Sequence, residues 1–304
     1  MTDEISQSVA LSWHRLQTVK YVNVASLAIL VFDYTLTFDL EVSLLWPSRF
    51  STSKALFFLA RYTPFFDVPV GLYFVLGMDI PLPECYKLNM AATIMSVFGI
   101  AIGEAILVLR TYALSEQRRR VLLVFGTIYG AAVVASVVLI SIFLTSMVYG
   151  PPLNPLIPGC NETGGDFILV GVCFILVLVN ETALMIYTIH LGWRKYRYFP
   201  NPFVVTLYRD GIIYFVFLFL GSAANFAILL GGEGELQELL NTFLRVMHSV
   251  LSTRVLLNLR DVERRRRNRE HDGAELSVEH TVTGTRMDFA NSWPSTSRTQ
   301  DGDE

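Results

Sequence analysis

The chain has 304 residues, of which 52% are hydrophobic and only 17% are charged. Soluble domains are about a quarter charged, so this composition excludes an ordinary soluble domain. The net charge of −3 averages a basic face and an acidic one, and it says little about partners. The apolar residues form blocks of about 20 residues or more, the length that crosses a hydrocarbon core. Because these blocks lack the period-2 alternation of barrel strands, we expect an all-α integral membrane bundle.

Seven such blocks predict seven transmembrane helices between a polar segment over residues 1–21 and a tail over residues 258–304. We see no removable signal peptide at the amino terminus. The last block is the least apolar, because Arg245, His248 and Arg254 interrupt it. As an interfacial helix it would leave six spans, an alternative that we rank lower. The spans fill residues 22–257 and are predicted at Val22 to Leu45, Leu56 to Gly77, Leu88 to Ala113, Val121 to Val148, Phe167 to Leu191, Gly211 to Leu230 and Leu239 to Leu257.

The basic residues of the connections predict the orientation. Lysine and arginine concentrate in the first, third and fifth connections, whereas the second, fourth and sixth contain only Lys87. Because these residues accumulate on the cytoplasmic side, we expect the amino terminus outside and the carboxyl terminus in the cytoplasm. The arginine run 264–267 after the last span agrees with this orientation.

The tail after His271 is rich in Ser, Thr, Gly and acidic residues. A segment of this composition cannot bury a hydrophobic core, so we expect a disordered cytoplasmic tail. We expect the protein in the plasma membrane, with an endomembrane as the alternative.

Two of the three cysteines fall on the predicted outer face, where disulfides persist. Cys85 precedes the third span and Cys160 lies in the fourth connection. We predict a bridge between them, with two unpaired thiols as the alternative. Cys173 lies in the fifth block and is most simply a packed apolar residue. Asn161 begins an Asn-Glu-Thr glycosylation acceptor on the outer face, whereas the second copy at Asn180 lies within a span and should be inaccessible.

The fourth connection, which holds Cys160, is dense in proline and glycine. This composition favours a fixed irregular lid over another helix. A bridge to Cys85 would tie this lid across the outer mouth of the bundle.

Charged residues inside the first two spans predict an ion pair near the cytoplasmic side. Asp39 and Glu41 lie near the inner end of the first helix, and Arg61 lies at a similar depth in the second, antiparallel helix. An unpaired charge at the bilayer centre costs at least about 2.5–3.5 kcal/mol, so we expect Arg61 to pair with Asp39 or Glu41. We favour a structural clamp between the two helices over a role in ligand binding.

Four further acids lie near mid-membrane on four different spans: Asp33, Asp67, Glu104 and Glu181. Asp33 and Asp67 have no evident cation as partner. If the four side chains converge, they form an acidic cavity that binds a cation or an amine, or that relays protons. For any one of them, a carboxyl group that burial keeps neutral is the alternative.

Basic residues also mark the predicted cytoplasmic face. Such helix edges usually anchor the protein to anionic headgroups, and a docking face for a cytoplasmic partner is the alternative. The run 264–267 borders a membrane helix, so we expect no nucleic acid as a partner. The residues of this face are Arg110, Arg118, Arg119, Arg120, Arg194, Lys195 and Arg197.

Three features together resemble the plan of G-protein-coupled receptors. They are the seven helices, the cysteine before the third helix that has a match after the fourth, and Arg-Thr-Tyr at the inner end of the third. Leu109 stands where the receptor Asp/Glu-Arg-Tyr motif has an acid, the sixth span has no proline, and the seventh has no Asn-Pro-x-x-Tyr. The resemblance implies a receptor-like protein with a small extracellular ligand and a cytoplasmic signalling protein as partners.

A second resemblance covers about the first fifth of the chain. It rests on Asp33-Tyr34, Asp39, Glu41, Trp46, Arg61-Tyr62 and, more loosely, Leu109 to Ala113. In these residues the chain is similar to a fungal family of multi-spanning membrane proteins known as domain of unknown function 6533. The resemblance implies a fungal integral membrane protein and leaves its activity open.

Our first hypothesis is a receptor-like protein that takes its ligand beneath the lid between Cys85 and Cys160. A proton- or cation-coupled transporter is the alternative, although no internal repeat and no paired Gly/Pro-broken helices occur. We expect no enzyme, because His14, His190 and His248 are scattered and no HExxH or G-x-S-x-G motif is present. The last span has no lysine for a retinal Schiff base. We therefore predict no metal and no cofactor, with the lipid bilayer as the one certain partner.

Overall fold

A computed structural model describes residues 2–78, 80–150, 160–198, 202–231, 236 and 239–291. Side chains are described from Trp13 to Asn268, apart from residues 79, 151–159, 161, 195–213, 230, 232–235, 237–238, 266 and 267. Within these ranges the fold is mostly helical. The elements are α1 (Thr2–Leu44), α2 (Thr52–Tyr62), α3 (Pro64–Leu76), α4 (Leu82–Leu114), α5 (Arg119–Ser146), β1 (Val148–Gly150), β2 (Asn161–Gly164), α6 (Phe167–Tyr198), α7 (Pro202–Gly231) and α8 (Asn241–Asn291).

Four helices in the described part of the chain are long and apolar enough to cross a membrane. The helix Tyr214–Leu229 within α7 is apolar but shorter. The second predicted span is divided between α2 and α3, and the last corresponds to the polar first part of α8. The four spanning candidates are Trp13–Leu44, Leu82–Leu114, Arg119–Ser146 and Phe167–Arg194.

Only Thr63 separates α2 from α3, and a proline causes the break. Pro64 has no N–H, so the carbonyl of Ala60 loses its helical partner. The Ser249 hydroxyl of α8 donates a hydrogen bond of 2.6 Å to that carbonyl. A side chain of a neighbouring helix thus satisfies the backbone group that the proline frees, as the interior of a membrane requires.

The segment Leu244–Leu257, the buried part of α8, lies among the other helices, and each of its residues is buried or partly buried. Val246 and Val250 pack on α1 and α3. Leu251 packs in a core cluster with residues of α4, α5, α6 and α7. Leu257 packs against α2. The least apolar of the seven predicted spans is therefore at the core of the packing.

The most apolar helices face outward. On α5, the side chains of Leu123 and Val134 are 66% and 65% exposed. Large exposed hydrophobic residues also occur along α1, α4, α6 and α7. A soluble protein rarely exposes apolar surface of this extent, whereas a bilayer covers it. Together with the apolar helices, this surface marks an integral membrane protein embedded in a lipid bilayer.

A short hairpin and a disulfide lie at one end of the bundle, which we name the disulfide end. Strands β1 and β2 pair antiparallel, with Tyr149 opposite Glu162. Cys160 is bonded to Cys85 at the start of α4, and their Cα atoms are 5.7 Å apart. The predicted bridge is therefore present. The expected irregular lid includes this two-stranded sheet, and its tip, residues 151–159, lies outside the described residues.

The described residues from Asn258 to Asn291 belong to a second compact unit. In it, Arg265 and Asp261 form an ion pair of 2.8 Å one helical turn apart. α8 continues to Asn291, so the chain after His271 is helical up to that residue, where its composition predicts disorder. Residues 263–270 are mostly glutamate and arginine, which favour helices, and the ion pair supports this part of α8.

Candidate functional site

A cavity of about 200 Å³ lies between the helices, and its wall is mostly apolar. Residues of α1 and of α3 to α8 line it. Along α4 the lining runs from Asn89, near the disulfide end, to Glu104, a distance of about 22 Å at 1.5 Å per residue. Drug-sized ligands occupy pockets of about 300–1,000 Å³, so this cavity suits a smaller molecule.

A buried ion pair forms part of the cavity wall. Arg245 Nε donates to Asp67 Oδ2 at 2.7 Å, and Arg245 Nη2 donates to Thr63 Oγ1 at 2.7 Å. Both charged side chains are almost fully buried. Gly99 of α4 makes room for the guanidinium, because a Cβ atom at this position would overlap it. Asp67 therefore has a cation as partner, which its sequence neighbourhood does not reveal.

A second polar cluster links α4, α6 and α8. The His248 imidazole lies between two carboxylates, with Nδ1 at 3.7 Å from Glu104 Oε1 and Nε2 at 3.5 Å from Glu181 Oε1. Asn180 Nδ2 donates to Glu104 Oε2 at 2.6 Å. All four residues are buried, at 3% exposure or less.

Several acceptors of this cluster have no hydrogen-bond partner. Glu104 Oε1 and both carboxylate oxygens of Glu181 are buried and unpaired among the described residues. The Ser222 hydroxyl lies near Glu181, but it makes no hydrogen bond in the geometry present. Unpaired buried acceptors are costly, so the cluster requires protons or a bound cation to be stable.

Asp33 lies apart from the cavity. It forms an ion pair with Arg254, which joins α1 to α8. The cavity lining includes Asp67 and Glu104 but neither Asp33 nor Glu181. The four acids thus do not converge on one space. Asp33 and Asp67 bind arginines of α8, while Glu104 and Glu181 meet at His248.

Arg61 pairs with Glu41 and not with Asp39. Arg61 Nε lies 2.5 Å from Glu41 Oε2, and both side chains are buried. Tyr62 and Trp46 donate to Glu41 Oε1 at 2.9 and 3.2 Å. Asp39 is exposed. The geometry is that of a structural clamp between α1 and α2, the role that we favour from the sequence.

Hydrogen bonds join the hairpin of the lid to the cavity wall at the disulfide end. Asn89 Nδ2, which lines the cavity, donates to Tyr149 Oη at 2.6 Å and to Glu162 Oε1 at 3.3 Å. The Cys160 amide donates to the Phe74 carbonyl at 3.1 Å. The hairpin and the bridge therefore position the wall of the cavity at the disulfide end.

The predicted cytoplasmic face is only partly exposed. Arg110 is 3% exposed, and its guanidinium carbon lies 5.7 Å from the centre of the Phe215 ring. It is therefore a buried residue and not a surface anchor, because α7 covers this end of α4. Arg118, Arg119, Arg120 and Arg194 are exposed. The side chains of Lys195, Arg197 and the glycosylation candidate Asn161 lie outside the described residues, whereas Asn180 of the second acceptor is buried, as expected.

Sequence reasoning missed three site residues: Arg245, His248 and Arg254. They appeared as interruptions of a weak span. A signal was present nevertheless, because Arg245, His248, Ser249 and Ser252 follow the spacing i, i+3, i+4, i+7 and so share one face of a helix. In a membrane, a polar face of this kind points to the protein interior.

His14, His190 and His248 are scattered along the sequence, but the fold places His248 beside two carboxylates. One ligand atom each from Glu104, Glu181 and His248 lie within 4.8 Å of one another. The sequence separates these residues by at least 67 positions, so only the packing of α4, α6 and α8 brings them together.

Comparison with known proteins supports the family resemblance. Residues 21–66 match the model of a family described as a family of unknown function, DUF6533. No curated protein and no solved structure matches the chain. The matched region holds Asp33 and the clamp of Glu41 and Arg61, so it covers the contacts that α1 makes with α2 and α8. The matched family has no assigned activity, and the apolar helices indicate a multi-pass membrane protein.

Proposed function

We propose that this protein is a seven-helix, receptor-like membrane protein that binds a small molecule in the cavity. The proposal rests on the polar groups at the end of that cavity formed by Glu104 and Arg245. Glu104 Oε1 and Arg245 Nη1 belong to residues of its wall, and each is buried without a hydrogen-bond partner among the described residues. A small ligand with an apolar body and a polar end that both donates and accepts hydrogen bonds complements this wall.

The proposed topology has seven crossings with the disulfide end outside. α2 and α3 together run from Thr52 to Leu76, which exceeds the roughly 20 residues that cross a bilayer. The buried part of α8 supplies the last crossing. Disulfides form in oxidising compartments, which favours the outside for the Cys85–Cys160 bridge. The exposed run Arg118–Arg120 then lies in the cytoplasm.

The proposed mechanism works through α8. Arg245 holds α8 to α3 through Asp67, and it also lines the cavity. A ligand that binds the Arg245 guanidinium competes with Asp67 and so favours a different position of α8 against α3. A ligand shifts such an equilibrium only by its difference in affinity for the two arrangements. The cytoplasmic loops, including Arg118–Arg120, would report the change to a signalling partner.

A proton- or cation-coupled transporter is the second candidate, and one observation favours it. Glu104, His248 and Glu181 form a buried chain of titratable groups across α4, α8 and α6. Such chains relay protons in membrane pumps and transporters. We propose no catalytic reaction for either candidate.

Orientation is tested by glycosylation mapping in microsomes. Wild type and Asn161→Gln are compared, with engineered acceptor sites at each terminus and with Asn180→Gln as the control. The proposal predicts modification of Asn161 and of an amino-terminal acceptor, no modification of a carboxyl-terminal acceptor, and no effect of Asn180→Gln. Modification of the carboxyl-terminal acceptor in place of the amino-terminal one would invert the topology and remove the receptor proposal.

Ligand binding is tested by a thermal-shift screen of small amines and alcohols on the purified chain. Ala132 lines the cavity from α5, whereas Ala131 is exposed on the same helix. Ala132→Phe should abolish stabilisation by any compound that binds the cavity, and Ala131→Phe should keep it. Equal responses of the two variants would place the compound outside the cavity.

Receptor and transporter differ in their partners. Ligand-dependent co-precipitation of a G protein through the loop containing Arg118–Arg120 supports a receptor. Substrate uptake into vesicles that Glu104→Gln abolishes supports a transporter.

A further inference from the structure

The cluster around His248 contains two carboxyl groups and, among the described residues, no arginine or lysine within its own contacts. Two carboxylates, Glu104 and Glu181, face the two nitrogens of one imidazole. The nearby Arg245 guanidinium is bound to Asp67 and Thr63. Three carboxylate oxygens in the cluster, buried among the described residues, accept no hydrogen bond. These unpaired oxygens and the imidazole are groups that can bind a positive ion.

We propose that Glu104, Glu181 and His248 bind a first-row divalent metal ion, with zinc as the leading candidate. Zinc binds histidine nitrogen and carboxylate oxygen at about 2.0–2.2 Å, which places tetrahedral ligand atoms roughly 3.4 Å apart. One ligand atom from each of the three residues lies within 4.8 Å of the other two. Glu104 faces Nδ1 of His248 and Glu181 faces Nε2, and because an ion binds one imidazole nitrogen, one of the two carboxylates must turn toward the other's side. Closing the set to tetrahedral spacing therefore requires side-chain movements of about 1–1.5 Å.

The ligand set selects the class of metal. An imidazole suits zinc, copper, iron and nickel, whereas calcium and magnesium prefer sites built from oxygen alone. The absence of a cysteine from the set disfavours a soft ion such as copper(I).

The surroundings supply both orientation and access. Asn180 Nδ2 holds Glu104 Oε2 at 2.6 Å and leaves Oε1 directed to His248. Outer contacts of this kind orient metal ligands, and their loss typically lowers metal affinity about 10–100-fold. Glu104 and Asn180 also line the cavity, so an ion reaches the cluster through the space beneath the lid. Gly103 lets α8 approach α4, because a Cβ atom there would lie 3.2 Å from Ser252 Oγ and 3.6 Å from His248 Nδ1.

Metal binding is tested on the full chain, purified in detergent through a tag without histidine and stripped with a chelator. Zinc chloride is added, and bound metal is measured after dialysis. The proposal predicts one zinc per chain, little binding of calcium or magnesium, and a higher melting temperature with zinc. Glu181→Gln and His248→Gln should each weaken binding at least tenfold, and Asn180→Ala about tenfold. The exposed His190 provides the control, since His190→Gln should leave affinity unchanged.

X-ray absorption on the zinc-loaded wild-type chain keeps the test independent of the folding of any variant. The proposal predicts one imidazole nitrogen together with oxygen ligands. A zinc shell containing sulfur or several imidazoles, the absence of stoichiometric zinc, or unchanged affinity in folded Glu181→Gln and His248→Gln would each overturn it. The proposal does not depend on receptor activity, because it concerns only the contacts among α4, α6 and α8.

Discussion

Helix α5 is apolar and lies at the outside of the bundle, whereas the buried part of α8 carries charged residues and lies inside it. The spanning helix Arg119–Ser146 is strongly apolar, yet only 11% of an 18-residue apolar stretch within it is buried. The segment Leu244–Leu257 contains two arginines and a histidine, and it lies among the other helices. In water the more apolar helix would be the buried one. In a bilayer the lipid solvates apolar helices, and the protein interior is where charged groups find partners.

The comparison also explains where the acids of the other helices find their partners. Asp33 of α1 and Asp67 of α3 pair with Arg254 and Arg245 of α8. On α5, by contrast, the basic residues Arg119 and Arg120 lie in the first turn and are exposed. The charged residues of α8 therefore hold helices together, whereas the basic residues of α5 lie exposed at its first turn.

The largest expected effect comes from breaking the ion pair between Asp67 and Arg245. Arg245→Met leaves a buried carboxylate without a partner, which costs about 3–5 kcal/mol. We expect a large drop in melting temperature in detergent, and partial recovery when Asp67→Asn is added. Arg119→Gln on α5 is the exposed control and should change stability by about 0.5 kcal/mol or less. Equal effects of Arg245→Met and Arg119→Gln would remove the contrast between the two helices.

A smaller effect is expected on α1, where a buried and an exposed acid lie two residues apart. Glu41→Gln weakens the contact with Arg61, which keeps its hydrogen bond to the Tyr34 carbonyl at 3.2 Å. We therefore expect a loss of about 1.5–3 kcal/mol, the range for hydrogen bonds to charged groups. Asp39→Asn should be nearly neutral. Thermal unfolding of the two variants side by side gives the difference, and a costly Asp39→Asn would contradict the assignment of the clamp to Glu41.

The third prediction concerns two glycines that differ only in their surroundings. A Cβ at Gly99 would overlap the Arg245 guanidinium, whereas a Cβ at Gly126 of α5 would meet nothing within 4 Å. Gly99→Ala should cost about 1–3 kcal/mol, the usual price of overpacking. Gly126→Ala should be neutral or slightly stabilising, because alanine favours a helix. Melting temperatures measure both, and a neutral Gly99→Ala would show that α8 does not approach α4 as described.

The smallest effect is expected from two serines. Ser249 of α8 donates to the Ala60 carbonyl that Pro64 leaves unpaired. Ser141 of α5 is exposed and bonds only to Val137 of its own helix. Hydrogen bonds between membrane helices contribute roughly 1 kcal/mol, so Ser249→Ala should destabilise by about this amount. Ser141→Ala should have no measurable effect in the same unfolding assay. A larger loss of stability for Ser141→Ala than for Ser249→Ala would contradict the assigned role of Ser249.

Much of the helical architecture follows from the sequence, because long apolar blocks have one solution in a bilayer. The blocks around α4, α5 and α6 are predicted within about seven residues of the observed helices. The first block is predicted less well, because α1 begins at Thr2 and so includes the polar segment expected to precede the first span. The Cys85–Cys160 bridge is also predictable, since both cysteines fall on one predicted face. The break at Pro64 is a local signal that block hydropathy averages out.

The candidate site is less predictable. Its acids are recognised because charges inside apolar blocks are conspicuous, but their partners lie up to 221 residues away along the chain, as for Asp33 and Arg254. Hydropathy treats Arg245, His248 and Arg254 as defects of a span, and only the packing of α8 among the other helices shows them as partners. Arg110 is predicted on an exposed face for a related reason. The sequence does not show that α7 packs over it, because this contact depends on the tertiary structure.

The polar segment Leu244–Leu257 lies inside the bundle, while α5 faces lipid. The most direct test uses the wild-type chain in vesicles that contain a photoactivatable, membrane-soluble carbene label, followed by mass spectrometry of the peptides. The account predicts strong labelling of α5 residues such as Leu123 and Val134, and little labelling between Leu244 and Leu257. Comparable labelling of the two segments would show that the last block faces lipid, and would contradict the account.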